Sequence, residues 1–192
     1  MFAEDVPVPL DLVAALWKRT GAMDEIDAEA LCEWLARLSL LLSLDLTLRV
    51  IRLHDVVRQL LLGRLGSREP ALHADLLNTG RPGSGAWCDL AADAGYWWSW
   101  LFTHLRAADR HDELRRTATD LRYLVHKAQA RSALAVEPDL AMACAQFPDD
   151  AVLAQLAVID RADAFDDEEI VGSRGCERFR RAFRRCRFGG GF

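Results

Sequence analysis

The apolar residues of the first 66 positions change their period twice, and few small folds accommodate that. In LDLVAALWKRTG the residues Leu12, Leu16 and Trp17 share one helical face. Pro7 and Pro9 lead into that helix and Gly21 stops it, which predicts a helix over 9–20. A short turn follows, and Asp27 is a candidate N-cap for AEALCEWLARL. There Leu31, Trp34, Leu35 and Leu38 recur at helical spacing, which predicts a second helix over 28–39. The rhythm then becomes alternation in LRVIRL, preceded by a Leu-rich run with a polar break at Asp45 to Thr47, the pattern of a β-hairpin. DVVRQLLLGRLG returns to helical spacing and ends near Gly66.

Helix, helix, hairpin and helix in this order predict a winged-helix domain over 1–66, within a mainly α chain. Residues 67–94 hold Gly80, Pro82, Gly83 and Gly85 and read as a linker or hinge, with ALHADLLN as a possible short helix. From 95 to 162 the pattern is helical again, with a break near Thr119 and with Pro138 and Pro148 framing DLAMACAQF. This predicts an arm of antiparallel helices resembling a helical repeat. Trp97, Trp98 and Trp100 cannot all be buried by one helix face, so they call for neighbours on two sides.

The segment 163–192 passes from acidic DAFDDEE to RGCERFRRAFRRCRFGGGF and is expected to be disordered. Residues 174–192 carry seven Arg against one Glu, or +6, so the remainder must be −11 to give the overall −5. Arginines interleaved with Phe179, Phe183 and Phe188 suit a nucleic-acid contact, a partner-binding peptide or a solubilising tail. The abruptness of the passage favours a fourth reading, a terminus whose reading frame departs from the ancestral one.

Chemistry-bearing motifs are sparse. There is no GxxxxGK[ST] phosphate loop, GxGxxG, HExxH or GxSxG, so no catalytic residue is assigned and the chain alone is not expected to be an enzyme. The five cysteines (Cys32, Cys88, Cys144, Cys176, Cys186) are widely spaced and odd in number, without metal-site spacing. They read as reduced, mostly buried thiols, with no metal ligand among them. No apolar run is long enough for a membrane helix and the N-terminus has no leader pattern, so a cytoplasmic chain without a membrane partner is expected. Of the histidines, His104 and His111 could approach across a turn, while His73 and His126 read as surface or satisfied helix positions.

A winged helix suggests DNA, but the charge argues otherwise. Residues 1–66 hold seven Lys and Arg against ten acids, and the would-be recognition helix has Asp27, Glu29 and Glu33 against Arg37 alone. Phosphate contacts supply most DNA affinity, so a helix of this charge is repelled by a duplex. A nucleic-acid partner is therefore not expected except through the Arg-rich tail.

The pair His54-Asp55, between the alternating run and the third helix, carries the sharpest functional reading. One account makes Asp55 the N-cap of the helix with His54 a bystander; the other aims the His54 imidazole at an anion. FAEDVPVPLDLVAALW, LCEWLARLSLL and RLHDVVRQLL resemble, in order, the winged-helix domain of NB-ARC proteins. These are the STAND class of nucleotide-switch NTPases that includes the apoptotic protease-activating factor and plant immune receptors. YWWSWLFTHLRAADRHDELRRTATDLRYLVHKAQA resembles the helical arm of the same proteins and their bacterial WD-repeat relatives, so the likeness spans roughly 2–160. The resemblance implies that His54, in Leu53-His54-Asp55, contacts the β-phosphate of ADP in the inactive form, with Asp55 as structural support. It also implies a regulatory role, coupling nucleotide state to a distal sensor or effector. The implied partners are an NB-ARC nucleotide-binding domain upstream and a propeller-type sensor downstream. ADP or ATP is the cofactor of the whole assembly, and none is expected on the isolated chain. Two alternatives remain beside it: a DNA-binding transcriptional regulator, and a helical scaffold whose tryptophans line a peptide groove.

Overall fold

The computed structural model describes Phe2 and residues 6–166, the last eight of these by backbone only. Its described residues are mainly helical, with one small three-stranded antiparallel sheet. None of their helices is long and apolar enough to cross a membrane. They fall into two compact units. The first takes the chain up to Arg81 together with Thr103–Arg110, and the second takes Pro82–Phe102 and the chain from His111 onward.

The first unit begins with a two-residue strand β1 (Val8–Pro9) that sequence alternation was too short to announce. It leads directly into α1 (Leu10–Gly21), where Pro9 occupies the N-cap position. Leu10, Leu12, Val13, Ala14 and Leu16 of α1 are buried, the apolar face expected from their spacing, while Trp17 is only partly covered. The stop differs from expectation. Gly21 is the last helical residue, and Ala22 takes the left-handed C-cap conformation at φ 53°.

Helix α2 (Glu25–Arg37) starts three residues earlier than the sequence rhythm suggested. Asp24, not Asp27, is its N-cap, with its carboxylate accepting from the Asp27 backbone N–H at 2.8 Å. The buried face is Ala28 and Cys32, so Trp34 and Leu38, expected to point inward, stand 54% and 48% exposed. Small residues at 28 and 32 let the helix approach its neighbours closely, and the bulkier Leu31, Trp34, Leu35 and Leu38 fall to the side or outside. Helical period identified the element but not which of two apolar stripes faces in.

The hairpin is β2 (Leu41–Asp45) and β3 (Val50–Leu53), and the sheet order is β1-β3-β2. Val8 opposes Ile51 on one side of β3 and Leu44 opposes Ile51 on the other, with Val8, Leu41 and Ile51 buried. An irregularity between Leu41 and Ser43 leaves Leu42 as the extra residue, turned outward and 54% exposed. The polar break becomes the turn: Asp45 accepts from the Leu48 N–H, and Arg49 adopts φ 50° before β3 begins.

Helix α3 (Asp55–Leu65) follows, and none of its residues is buried. Gly66 ends it at φ 51° and a 3-10 turn (Gly66–Arg68) connects it to α4 (Glu69–Gly80). The sequence allowed a short helix within 67–94; α4 is twelve residues long and packs on α1. The punctuation in GSREP starts a helix here, because Pro70 falls in the first turn, where no backbone donor is needed. His73, Leu76 and Leu77 line its buried face.

The second unit begins with a 3-10 turn at Trp87–Asp89 and the first part of α5 (Gly95–Ala107), followed by α6 (His111–Ala118), α7 (Leu121–Ala130), α8 (Glu137–Gln146) and α9 (Ala151–Asp166). The expected break near Thr119 is present. Asp120 caps α7 by accepting from the Arg122 N–H at 2.9 Å. Asp150 does the same for α9, accepting from Val152 and Leu153. Helix α9 runs into the expected tail as far as Asp166; the rest of that tail, with Cys176, Cys186 and all seven of its arginines, lies outside the described residues.

Trp98, Phe102 and Tyr123 form the centre of this unit, with ring centroids 5.5 Å (Trp98 to Tyr123) and 5.7 Å (Phe102 to Tyr123) apart. Trp97 is buried against Trp87, whose indole N–H donates to Glu113 at 2.7 Å. Trp100 is only partly covered.

Candidate functional site

The strand β3 ends at Leu53, and the chain turns into α3 through His54, which holds an extended backbone (φ −65°, ψ 134°). The structure corrects the expected cap. His54 is the N-cap, its Nδ1 accepting from the Val56 backbone N–H at 3.4 Å, while Asp55 is the first helical residue. The His54 carbonyl accepts the first intrahelical bond, from Arg58 N–H at 2.9 Å. An imidazole nitrogen can serve as a cap only when it carries no proton. The capping bond therefore places the proton of the neutral ring on Nε2. His54 is exposed, and its Nε2–H is a donor without a partner among the described residues.

Asp55 contributes a negative charge to the first turn of α3, where the helix dipole favours it. Its Oδ1 is buried and meets no hydrogen-bond donor among the described residues. On the far side of the turn, Arg58 Nε donates to the Phe2 carbonyl at 2.7 Å, tying α3 to the start of the chain. The junction offers one side-chain donor to a phosphate.

The outer surface around the junction is apolar. On α3, Val56 is 67%, Leu60 57% and Leu61 47% exposed, and Leu48 at the hairpin turn is 71% exposed. Scattered exposed leucines are ordinary, but here Val56, Leu60 and Leu61 stand together on one helix while Val57, Leu62 and Leu65 are only partly covered.

Arg49, at the end of the hairpin turn, is engaged by acids. Its guanidinium donates to Asp11 (2.6 and 2.9 Å), Glu25 (2.8 Å) and Glu29 (3.3 Å), and these contacts raise its pKa above the ordinary arginine value. One cation thus joins the hairpin to α1 and α2. Removing it leaves three carboxylates with no shared counter-charge. Arg49→Met is expected to lower the melting temperature of the first unit at pH 7. The loss shrinks at high salt, where the charges are screened; thermal melts at two salt concentrations check it.

Elsewhere the titratable side chains are buried in pairs. In the first unit His73 Nδ1 and His104 Nδ1 are 2.9 Å apart, so His73 is a buried residue, not a surface one, and its ring meets that of His104. In the second unit Lys127 Nζ and Asp139 Oδ2 are 2.6 Å apart, and Tyr123 OH donates to the same oxygen at 3.0 Å. Burial drives the Asp139 carboxyl up and the Lys127 amine down, each partly offset by the other's charge. His126 donates through Nδ1 to the Cys88 carbonyl, a satisfied helix position as expected.

Cys32 and Cys88 are buried free thiols and Cys144 a partly covered one. Burial, followed by the charge of Glu29, pushes Cys32 up to about 11, which leaves it unreactive. Among the described residues no group of three His, Cys, Asp or Glu side chains could hold a metal ion.

Three members of these two pairs had a signal in the sequence that helical period alone can read. His73 lies three and four positions before Leu76 and Leu77, His104 lies between Leu101 and Leu105, and Lys127 lies three and four after Leu124 and Tyr123. Each therefore sits on a buried stripe, and a titratable group on such a stripe needs a partner. No family model matches this chain, and neither does any curated protein.

Proposed function

We propose that the chain is the regulatory part of a nucleotide-switched signalling ATPase of the NB-ARC type. In this reading the first unit is a winged helix and the helices of the second belong to the arm. His54 reports the nucleotide through a contact to the β-phosphate of ADP. The chain carries no catalysis of its own; it passes the nucleotide state of a separate NB-ARC domain to a distal sensor or effector module.

The observation that carries this reading is the His54 junction. An exposed imidazole with its Nε2–H directed by the capping bond begins a helix that buries none of its own apolar residues. Such an arrangement suits a surface that another domain covers while presenting one donor to an anion. The sheet order β1-β3-β2, with two helices ahead of the hairpin, supports the winged-helix assignment. The DNA-binding alternative is less well supported. Arg49, the cation nearest the hairpin tip, is held by three carboxylates, and the outward face of α2 presents Ile26 and Trp34 beside Asp27 and Glu33. The peptide-groove alternative loses Trp97 and Trp98, which are buried.

The test separates the two ends of the imidazole. Asparagine is a good N-cap but lacks the reach of Nε2, whereas alanine removes both functions. In a complex of this chain with an NB-ARC nucleotide domain, His54→Asn and His54→Ala are both expected to weaken ADP binding roughly 10- to 100-fold, since a hydrogen bond to a charged group contributes about 1.5–3 kcal/mol. His54→Ala alone is expected to destabilise α3 further, by about 1 kcal/mol. Titration calorimetry with ADP reads the first effect; unchanged affinity in both variants overturns the role assigned to His54.

A further inference from the structure

Residues 103–110 belong to the first unit although the helix that contains most of them begins in the second. Two of the attachments of this segment within the first unit are polar and involve α4. One is the ring pair His73–His104, 2.9 Å between Nδ1 atoms, with both rings buried and their planes tilted by 40°. The other is Arg110, which donates to the Ala74 carbonyl at 3.2 Å and to Asn78 Oδ1 at 2.7 Å.

The first attachment depends on protonation. His73 Nε2 lies 3.6 Å from Glu69 Oε1, so the carboxylate favours a proton on that nitrogen and leaves His73 Nδ1 as the acceptor. His104 must then donate through its own Nδ1–H. When both rings become imidazolium, both Nδ1 atoms carry protons and the bond becomes a contact between two buried cations. Of the charged groups facing His73, Glu69 on its own helix favours a positive ring and Arg58 on α3 opposes it; each ring of the pair opposes a charge on the other. Farther along α4, Asp75 is already paired with Arg19 at 2.6 Å. Among the described residues no third ligand joins the two rings, so a shared proton rather than a shared metal is the chemistry this pair supports.

We propose that the buried His73–His104 pair is an acid-sensitive latch, which holds residues 103–110 in the first unit while both rings are neutral and releases them on protonation.

The direction follows from the ring pKa values. Burial, with the nearby positive charges, lowers His73 to about 4 and His104 to about 3, both below the ordinary histidine value near 6.5. Above 6.5 both rings are neutral whether the segment is held or released. Below it the released rings take up protons and the held ones do not, so release becomes steadily more favourable until the held rings also titrate. Between pH 7 and pH 5 each histidine multiplies the opening constant by roughly 20, and the pair by several hundred.

Native-state amide exchange of the whole chain, corrected for the intrinsic pH dependence of exchange, measures the opening of 103–110 against that of α1. The expected result is a several-hundredfold rise for 103–110 between pH 7 and pH 5 with α1 little changed. In the double variant His73→Gln, His104→Gln, neutral at both pH values, the rise falls below about tenfold. An equal rise in the double variant, or a rise of α1 in step with 103–110, overturns the latch. If the double variant does not fold, the imidazole nitrogens of the unsubstituted chain decide by NMR. Rings still neutral at pH 5 in the held state support the proposal, and a ring titrating near 6.5 overturns it.

Discussion

Asp139→Ala is expected to destabilise the second unit by about 3–5 kcal/mol, the cost of leaving a buried cation without its partner. The carboxylate accepts from Lys127 at 2.6 Å and from Tyr123 at 3.0 Å, and all three side chains are buried, so water cannot replace it. The pair joins α7 to α8, and its loss should be read as earlier unfolding of both helices by circular dichroism in urea. A control separates charge from volume: the double variant Lys127→Met, Asp139→Leu removes both charges and fills the space, and is expected to lie within about 2 kcal/mol of the unsubstituted chain. If Asp139→Ala melted like the parent, the ion pair would be solvated rather than buried.

The second large effect is expected at Trp98. Trp98→Ala removes a fully buried ring at the centre of the second unit and strands the Ala91 carbonyl that accepts from its indole N–H at 2.9 Å. The expected cost is roughly 3–5 kcal/mol. Trp100→Ala, two positions along and partly exposed, should cost less than about 1.5 kcal/mol. Chemical denaturation of the two variants tests whether the aromatic run is core or surface. Equal and small losses would turn the cluster back into a candidate peptide groove.

Much of the secondary structure was legible because the signals are local. The alternation in LRVIRL specifies β3, the Pro7 and Pro9 lead-in precedes α1, and the break at Thr119 coincides with an Asp120 cap. What escaped depends on contacts distant in sequence. In α2 the stripes through Ala28 and Cys32 and through Trp34 and Leu38 are both apolar, and only the neighbours of the helix choose the smaller pair for burial. Strand β1 is two residues long and exists because β3 offers it a partner. At the candidate site, the sequence marked the correct dipeptide but assigned the cap to the wrong member. Asp is the commoner N-cap, yet the chain leaves β3 one residue earlier, and that places the imidazole in the capping position.

Helix α3 has a consequence for how the chain behaves when it is made alone. Eleven residues with none fully buried lie below the length at which a helix sustains itself in water, so α3 depends on its partly covered Val57, Leu62 and Leu65 and on the bond from Arg58 to Phe2. Covering Val56, Leu60 and Leu61 would supply the missing stabilisation, and the first layer of any such cover would also order the cap that aims His54. In concentrated solution the same uncovered leucines would recruit one another, so that poor solubility would be the uncoupled form of the same property.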